Sequence, residues 1–330
     1  MALRPSIELY DDSGNRLFEI EKRVTSLRAT DEAGQKNDIL ELCLTDVNNV
    51  QLPPSGNVIR LRIGYVPNLY TVGYFTLGPA VAEGDTTDDK LRLTLSSATH
   101  NDSFRTKKNR TFLNVSIGSI VDQIAVESSL TPRIDPYFNS IIVSREQKEI
   151  SSQRLLLDLA VEYDAVFKVQ NEILLFTRKD EAKNVATNQD LTTITLSRPQ
   201  DILTYKYRID NKNSYSGIYA RYRTTGPDGE LTTKRILEGS TSGATESLPK
   251  IYSTEAEARR LAQLKLQQIG RSEQELSITT EGRQRVFAEA PIIIKGLPSA
   301  INGNYIVHRI NYNFNKKGDF TTDIELRPKT

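Results

Sequence analysis

The stretch Leu40-Glu-Leu-Cys-Leu-Thr-Asp46 puts Leu40, Leu42 and Leu44 on one side of an extended chain and Glu41, Cys43 and Thr45 on the other. Successive side chains of a strand point to opposite faces, so this is the period of a half-buried β-strand. The same period recurs around it. Ile59, Leu61 and Ile63 alternate with Arg60 and Arg62, and Leu91, Leu93 and Leu95 alternate with Arg92, Thr94 and Ser96. Turn clusters separate the runs: Asp11-Asp-Ser-Gly-Asn15, Pro53-Pro-Ser-Gly-Asn57 and Glu83-Gly-Asp85. Short alternating strands with such punctuation predict an antiparallel barrel or sandwich over residues 1–101.

The period then changes. Ile117, Ile120, Val121 and Ile124 form a helical stripe with Ser116 as its N-cap. Ser151 or Ser152 caps a second helix that buries Leu155, Leu156, Leu159, Ala160 and Tyr163. The strand pair 165–170 and 172–177 follows, so 102–188 reads as a small α/β middle domain. From 189 to 330 the pattern is again mostly β. Leu203, Tyr205, Tyr207 and Ile209 alternate with Thr204, Lys206 and Arg208, and Gly226-Pro-Asp-Gly229 marks a hairpin. One helix interrupts at about 254–269, with Thr254 and Glu257 as a capping box and Gly270 at its C′ position. The two β regions also resemble each other. Glu41–Asp46 lies beside Glu275–Thr280, Ile59–Gly64 beside Ile292–Gly296, Tyr74 beside Tyr305 and Leu93 beside Ile324. A duplication is one reading of this; a generic likeness of β-hairpins is the other.

At about 150 residues per domain, 330 residues make two or three domains, long enough to bury a core without disulfide or metal. Lys plus Arg is 43 and Asp plus Glu is 42, which argues against a general nucleic-acid binder. A single cysteine, Cys43, rules out intrachain disulfides, zinc fingers and Fe–S clusters and fits a reducing compartment. No apolar run approaches the roughly 18 residues of a membrane span, and the N-terminus lacks a signal peptide's apolar stretch. A soluble protein made in the cytoplasm, without a membrane, is expected.

No catalytic constellation emerges. Histidine occurs only at 100 and 308, there is no Gly-x-Ser-x-Gly elbow, and no phosphate loop or dinucleotide fingerprint is present. Asp11–Asn15 departs from the EF-hand spacing and reads as a turn. No catalytic residue, metal or cofactor is predicted. One basic cluster stands out: Arg105, Lys107, Lys108 and Arg110, between Phe104 and Phe112. It reads as a solvated connection between domains or as a patch for phosphates or an acidic partner.

Val24–Asp38 followed by Leu40–Asp46 resembles the opening of the late control D family, the baseplate hub proteins of contractile phage tails and phage-tail-like bacteriocins. Further similar segments follow in order: Leu52-Pro-Pro-Ser-Gly56, Val72–Leu77, Thr106–Thr111, Leu130–Pro136, Leu156–Lys168, Leu174–Thr177, Tyr252–Arg260, Ile301–Arg309 and Thr322–Leu326. Asp164 departs from the small or glycine residue expected at its turn. The resemblance implies a mainly β fold with an α+β insertion, in which two similar antiparallel, tube-like β-barrel domains flank the small α/β domain. It implies a homotrimer forming a pseudo-six-fold ring that joins the six-fold tail tube to the three-fold central spike, among other baseplate proteins. DNA passing through its channel would not be read by sequence. The chain is then a structural protein of a phage tail or phage-tail-like particle, not an enzyme, and Thr330 leaves no room for a fused lysozyme or needle domain. Asp31, Glu32, Ala33, Gly34 and Asp38 are expected at a subunit or tube contact, or form a turn needed only for folding. Arg105, Lys107, Lys108 and Arg110 are expected at a partner or lumen contact.

The competing functions are a tail-associated cell-wall hydrolase and a glycan-binding module. The first requires two carboxyls at a defined separation in a glycan-sized cleft. The second usually displays exposed aromatics, whereas this chain has no Trp and most of its Tyr and Phe fall at strand positions.

Overall fold

The computed structural model describes residues 4–33, 38–45, 54–84, 89–97, 102–170, 172–179, 191–209, 215–226, 228–272, 274–282 and 285–329. The first β region forms β1 (Pro5–Tyr10), a short helix α1 (Phe18–Glu21), β2 (Val24–Glu32), β3 (Ile39–Thr45), β4 (Val58–Tyr65), β5 (Asn68–Gly84) and β6 (Asp89–Ser96). The leucines of β3 and β6 are buried, as their alternation predicts. Next come α2 (Asp102–Arg105), β7 (Lys107–Ser116), α3 (Ile117–Glu127), β8 (Thr131–Ile134), β9 (Ile142–Ser151), α4 (Ser152–Glu162), β10 (Ala165–Gln170) and β11 (Ile173–Arg178). The hydroxyls of Ser116 and Ser151 accept from the N–H groups of Ser119 and Arg154, capping α3 and α4. Asp164 holds a φ of +51° in the turn after α4, which explains why a glycine would suit that position.

The remainder forms β12 (Ile194–Ser197), β13 (Ile202–Ile209), β14 (Gly217–Thr225), β15 (Leu231–Gly239), β16 (Thr245–Tyr252), α5 (Glu255–Ser272), β17 (Gln274–Glu281), β18 (Pro291–Lys295), β19 (Gly303–Asn315) and β20 (Phe320–Pro328). The hairpin at Gly226–Gly229 joins β14 to β15, with Gly229 at φ +81°. The cap of α5 has Thr254 Oγ1 accepting from Glu257 N–H, while the Glu257 carboxylate accepts from Ser253 N–H. The helix runs past Gly270 to Ser272, so that glycine lies within it and not at a C′ position.

The expected pair of closed β-barrels is not what forms. Closure needs the two edge strands of a region to bond to each other, β1 and β2 in the first, but β2 bonds instead to β19 of the other region. Arg309 lies opposite Glu32, and the pairing continues to Asn315 opposite Ser26. The result is one open sheet of 12 strands, ordered β1-β4-β5-β6-β3-β2-β19-β20-β17-β13, with β12 and β18 branching beside β19. Space for β2 exists because β19, at 13 residues, overruns the 5-residue β18.

The two regions are nonetheless built alike. Each orders its six strands first, fourth, fifth, sixth, third, second. Register shifts recur at matching places: between Val24 and Ser26 and between Ile202 and Thr204, then between Leu77 and Ala80 and between Val307 and Arg309. The leucine pair 40 and 95 corresponds to the pair 276 and 326. Phe75, opposite Ile59, is the counterpart of Tyr305, opposite Ile292; the sequence match to Tyr74 is one residue off, on the wrong face. The likeness stops at the edge strand: β1 runs antiparallel to β4, whereas β12 runs parallel to β18.

Two cores result. The first is shared by both sheet regions, with Tyr65 against Phe320 at 5.8 Å and Tyr70 against Tyr312 at 6.3 Å between ring centres. The second gathers α3, α4, the β8-β11-β10 sheet, the β15-β14-β16 sheet and α5. Residues 215–269 therefore pack with the middle segment, between strands of the long sheet in sequence.

Candidate functional site

The seam between β2 and β19 carries most of the acidic residues singled out in the sequence. Lys168, on β10 of the second core, reaches it and lies 2.9 Å from Asp31 Oδ1 and 2.7 Å from Asp38 Oδ1. Asp31 Oδ2 also accepts from Ala288 N–H at 2.9 Å, and Asp38 N–H donates to Ser97 Oγ at 2.9 Å. Two carboxylates and one ammonium thus lock the second core onto the sheet. Burial, and then the neighbouring Asp31 charge, push the Asp38 carboxyl up to about 7. Lys168 is held above its ordinary value by both carboxylates, although burial acts the other way. One residue along, Glu32 accepts from Arg309 Nη2 at 2.6 Å and Nε at 3.0 Å, so an ion pair spans the strands opposite each other in register. Ala33 N–H donates to the His308 carbonyl at 2.8 Å. Gly34 lies outside the described residues.

These contacts join distant parts of one chain. Sequence reading found the acids but missed Lys168 and Arg309. The available signal for Lys168 was a lone cation in the apolar strand Ala165-Val-Phe-Lys-Val169.

The basic cluster divides in two. Glu127, the last residue of α3, takes Lys108 at 2.9 Å and Arg110 at 2.5 Å. Those hydrogen bonds, with one from Gln123, push its carboxyl down to about 2 against the opposing effect of partial burial. Arg110 also donates to Gln147 at 2.8 Å and stacks over Phe112 at 4.7 Å. Arg105 and Lys107 stay exposed. His308 Nδ1 is buried without a hydrogen-bond partner among the described residues, and burial, with Arg327 and Lys179 adding to it, pushes the imidazole down to about 3. His100 lies outside the described residues. Among the described residues no group of three His, Cys, Asp or Glu is placed to hold a metal ion, and no helix is long and apolar enough to cross a membrane.

The polar face of the seam opens into a groove of about 310 Å³ lined by Arg28, Glu41, Cys43, Arg92 and Asp319. Its walls mix both signs of charge. What the geometry offers is a long open sheet with one charged seam and, among the described residues, unpaired strand edges, which is equipment for assembly.

No protein-family model matches the chain. It is 25% identical over 370 residues to a probable baseplate hub protein of Escherichia phage 186, covering 99% of this chain and 94% of that protein. It is 24% identical over 365 residues to the probable baseplate hub protein of Escherichia phage P2, covering 98% and 93%. A tail protein from Neisseria meningitidis MC58 shares the fold at a TM-score of 0.75, with 10% identity over 98% of this chain and 96% of that one. Along nearly its whole length, the chain is similar to the phage baseplate hub proteins, the family its sequence resembles.

Proposed function

We propose that the chain is the structural hub of the baseplate in a phage tail or phage-tail-like particle, a homotrimer that forms a pseudo-six-fold ring between the tail tube and the central spike. A structural part in such an assembly follows from full-length similarity to two phage hub proteins. The finer geometry rests on one observation: two sheet regions with the same strand order and the same register shifts. Three chains of two matched regions supply six similar positions, which suits a six-fold tube on one side and a three-fold spike on the other. In this reading Asp31, Glu32 and Asp38 keep β2 on β19 and so set the curvature of the ring. Arg105 and Lys107, exposed beside Lys108 and Arg110, which share the Glu127 carboxylate, meet an acidic partner surface or line the lumen.

Light scattering of the purified protein at micromolar concentration tests the ring. A mass near three times 37.1 kDa is expected. A single-chain mass that persists on co-expression with a spike protein overturns the reading. Lys107→Glu should lower the yield of intact particles; unchanged yield removes Lys107 from the contact.

A further inference from the structure

The two sheet regions match strand for strand, yet one of their contacts is made only once. β2 lies along the distal half of β19, and the counterparts of these two strands are β13 and β5. Among the described residues, β13 pairs only with β17, and Ala80–Gly84 of β5 pair only with β6. Like β19, β5 overruns its neighbour: it has 17 residues against 8 in β4. Residues 79–84 of the overrun are exposed, as are Leu203 and Ile209 on β13. Open apolar edges invite pairing unless something covers them.

We infer that a second copy of this chain covers them: β13 of one copy adds antiparallel to residues 80–84 of β5 in the next, in the register that β2 keeps on β19. The inference rests on the hub reading above and supplies its subunit contact. The shared register shifts set the alignment. They match Val24 with Ile202, and therefore Arg28 with Lys206 and Ala29 with Tyr207. They match Leu77 with Val307, and therefore Ala82 with Tyr312 and Glu83 with Asn313. Within the chain Tyr312 faces Ala29 and Asn313 faces Arg28. Between copies Tyr207 then faces Ala82, Lys206 faces Glu83 and Ile209 faces Ala80.

These pairs are chemically apt. The large-against-small packing of Tyr312 on Ala29 is repeated by Tyr207 on Ala82 with the partners exchanged. Lys206 and Glu83 form an opposite-charge cross-strand pair. Ile209, 57% exposed in the single chain, gains a small apolar neighbour. Since the two edges are different surfaces, the contact is head-to-tail, and repeated copies close a ring once the rotation permits.

The test uses cysteine pairs in a Cys43→Ser background. With Glu83→Cys and Lys206→Cys, oxidation should produce a covalent ladder on denaturing electrophoresis that ends at the closed oligomer. Ala82→Cys with Lys206→Cys, which point to opposite faces, should stay uncrosslinked. Lys206→Glu should raise the concentration for half-assembly by about tenfold, and adding Glu83→Lys should restore it. An oligomer that forms without the 83–206 bond, or that crosslinks the 82–206 pair equally, overturns this pairing and leaves the hub reading intact. A crosslink from either edge to the tube or spike protein also overturns it. A single-chain mass under every condition removes both.

Discussion

Replacing Lys168 with Met probes the lock between the second core and the sheet. Lys168 is 15% exposed, Asp31 18% and Asp38 5%, with contacts of 2.9 and 2.7 Å. At an effective dielectric near 20 each contact corresponds to about 6 kcal/mol of attraction. Desolvating three charges costs several kcal/mol apiece, so the intact triad contributes little net stability. Removing the cation is different, because two buried carboxylates then face each other. Met preserves most of the stem's packing, and the expected loss is about 3–5 kcal/mol at pH 8. The pH dependence carries the sharper prediction. In the native protein Asp38 stands at about 7, raised from the ordinary carboxyl value by burial and then by Asp31. A raised carboxyl contributes most below its unfolded value near 4, and that contribution is lost as pH climbs to 7. Without Lys168, Asp31 also loses the charge that holds it low, so both acids are raised and the deficit grows with pH. Urea unfolding at pH 5 and pH 8 should therefore show a smaller loss at pH 5, and Lys168→Met with Asp38→Asn should regain part of the stability at pH 8. A loss below about 1 kcal/mol at pH 8, or an equal loss at both pH values, refutes a buried ionic lock.

His308 is neutral in the fold and pushed down to about 3, below its unfolded value, so stability tied to it is lost as pH falls below about 6.5. With partial exposure discounted, His308→Asn should retain about 1–2 kcal/mol more of its stability between pH 7 and 4.5 than the parent, read from urea midpoints. Glu127 is depressed, so its contribution is present above its unfolded value and fades as pH falls through about 2. Glu127→Gln should cost at most about 1 kcal/mol at pH 7 and nothing near pH 2, because the pair is partly solvated. Leu42, fully buried in the shared core, should cost about 2–5 kcal/mol as Leu42→Ala by denaturant unfolding.

Much of the local structure was legible because it depends on neighbours in sequence. The alternation at Leu40–Thr45 and Leu91–Ser96, the serine caps of α3 and α4 and the hairpin at Gly226–Gly229 all appear where the residues predicted them. A likeness between the two β regions was visible too, although the match of Glu41–Asp46 to Glu275–Thr280 is two residues off, since Leu42 corresponds to Ile278, and placing Tyr74 beside Tyr305 put an exposed ring in register with a buried one. The closed barrels came with the family resemblance and are overturned by the strand pairing; alternation alone left barrel and sandwich open. Period two reports which face of a strand is apolar, and both a barrel and an open sheet bury one face. The acidic residues at 31–38 stood out by composition, but their cation lies 137 residues from Asp31 in sequence, beyond any local pattern.

The sequence by itself therefore determined the alternating strands at 40–45, 59–63 and 91–96, the helices α3, α4 and α5, the apolar faces of those strands and of α3 and α4, and the family likeness, since each is written in spacing and residue type. Only the tertiary structure decided that the two regions join into one sheet, that 215–269 pack with the middle segment, and which strand edges stay open. Those choices depend on which backbone edges meet: Thr30 Oγ1 donates to Asn311 Oδ1 across 281 residues of chain, and backbone hydrogen bonds at an edge are the same for every sequence.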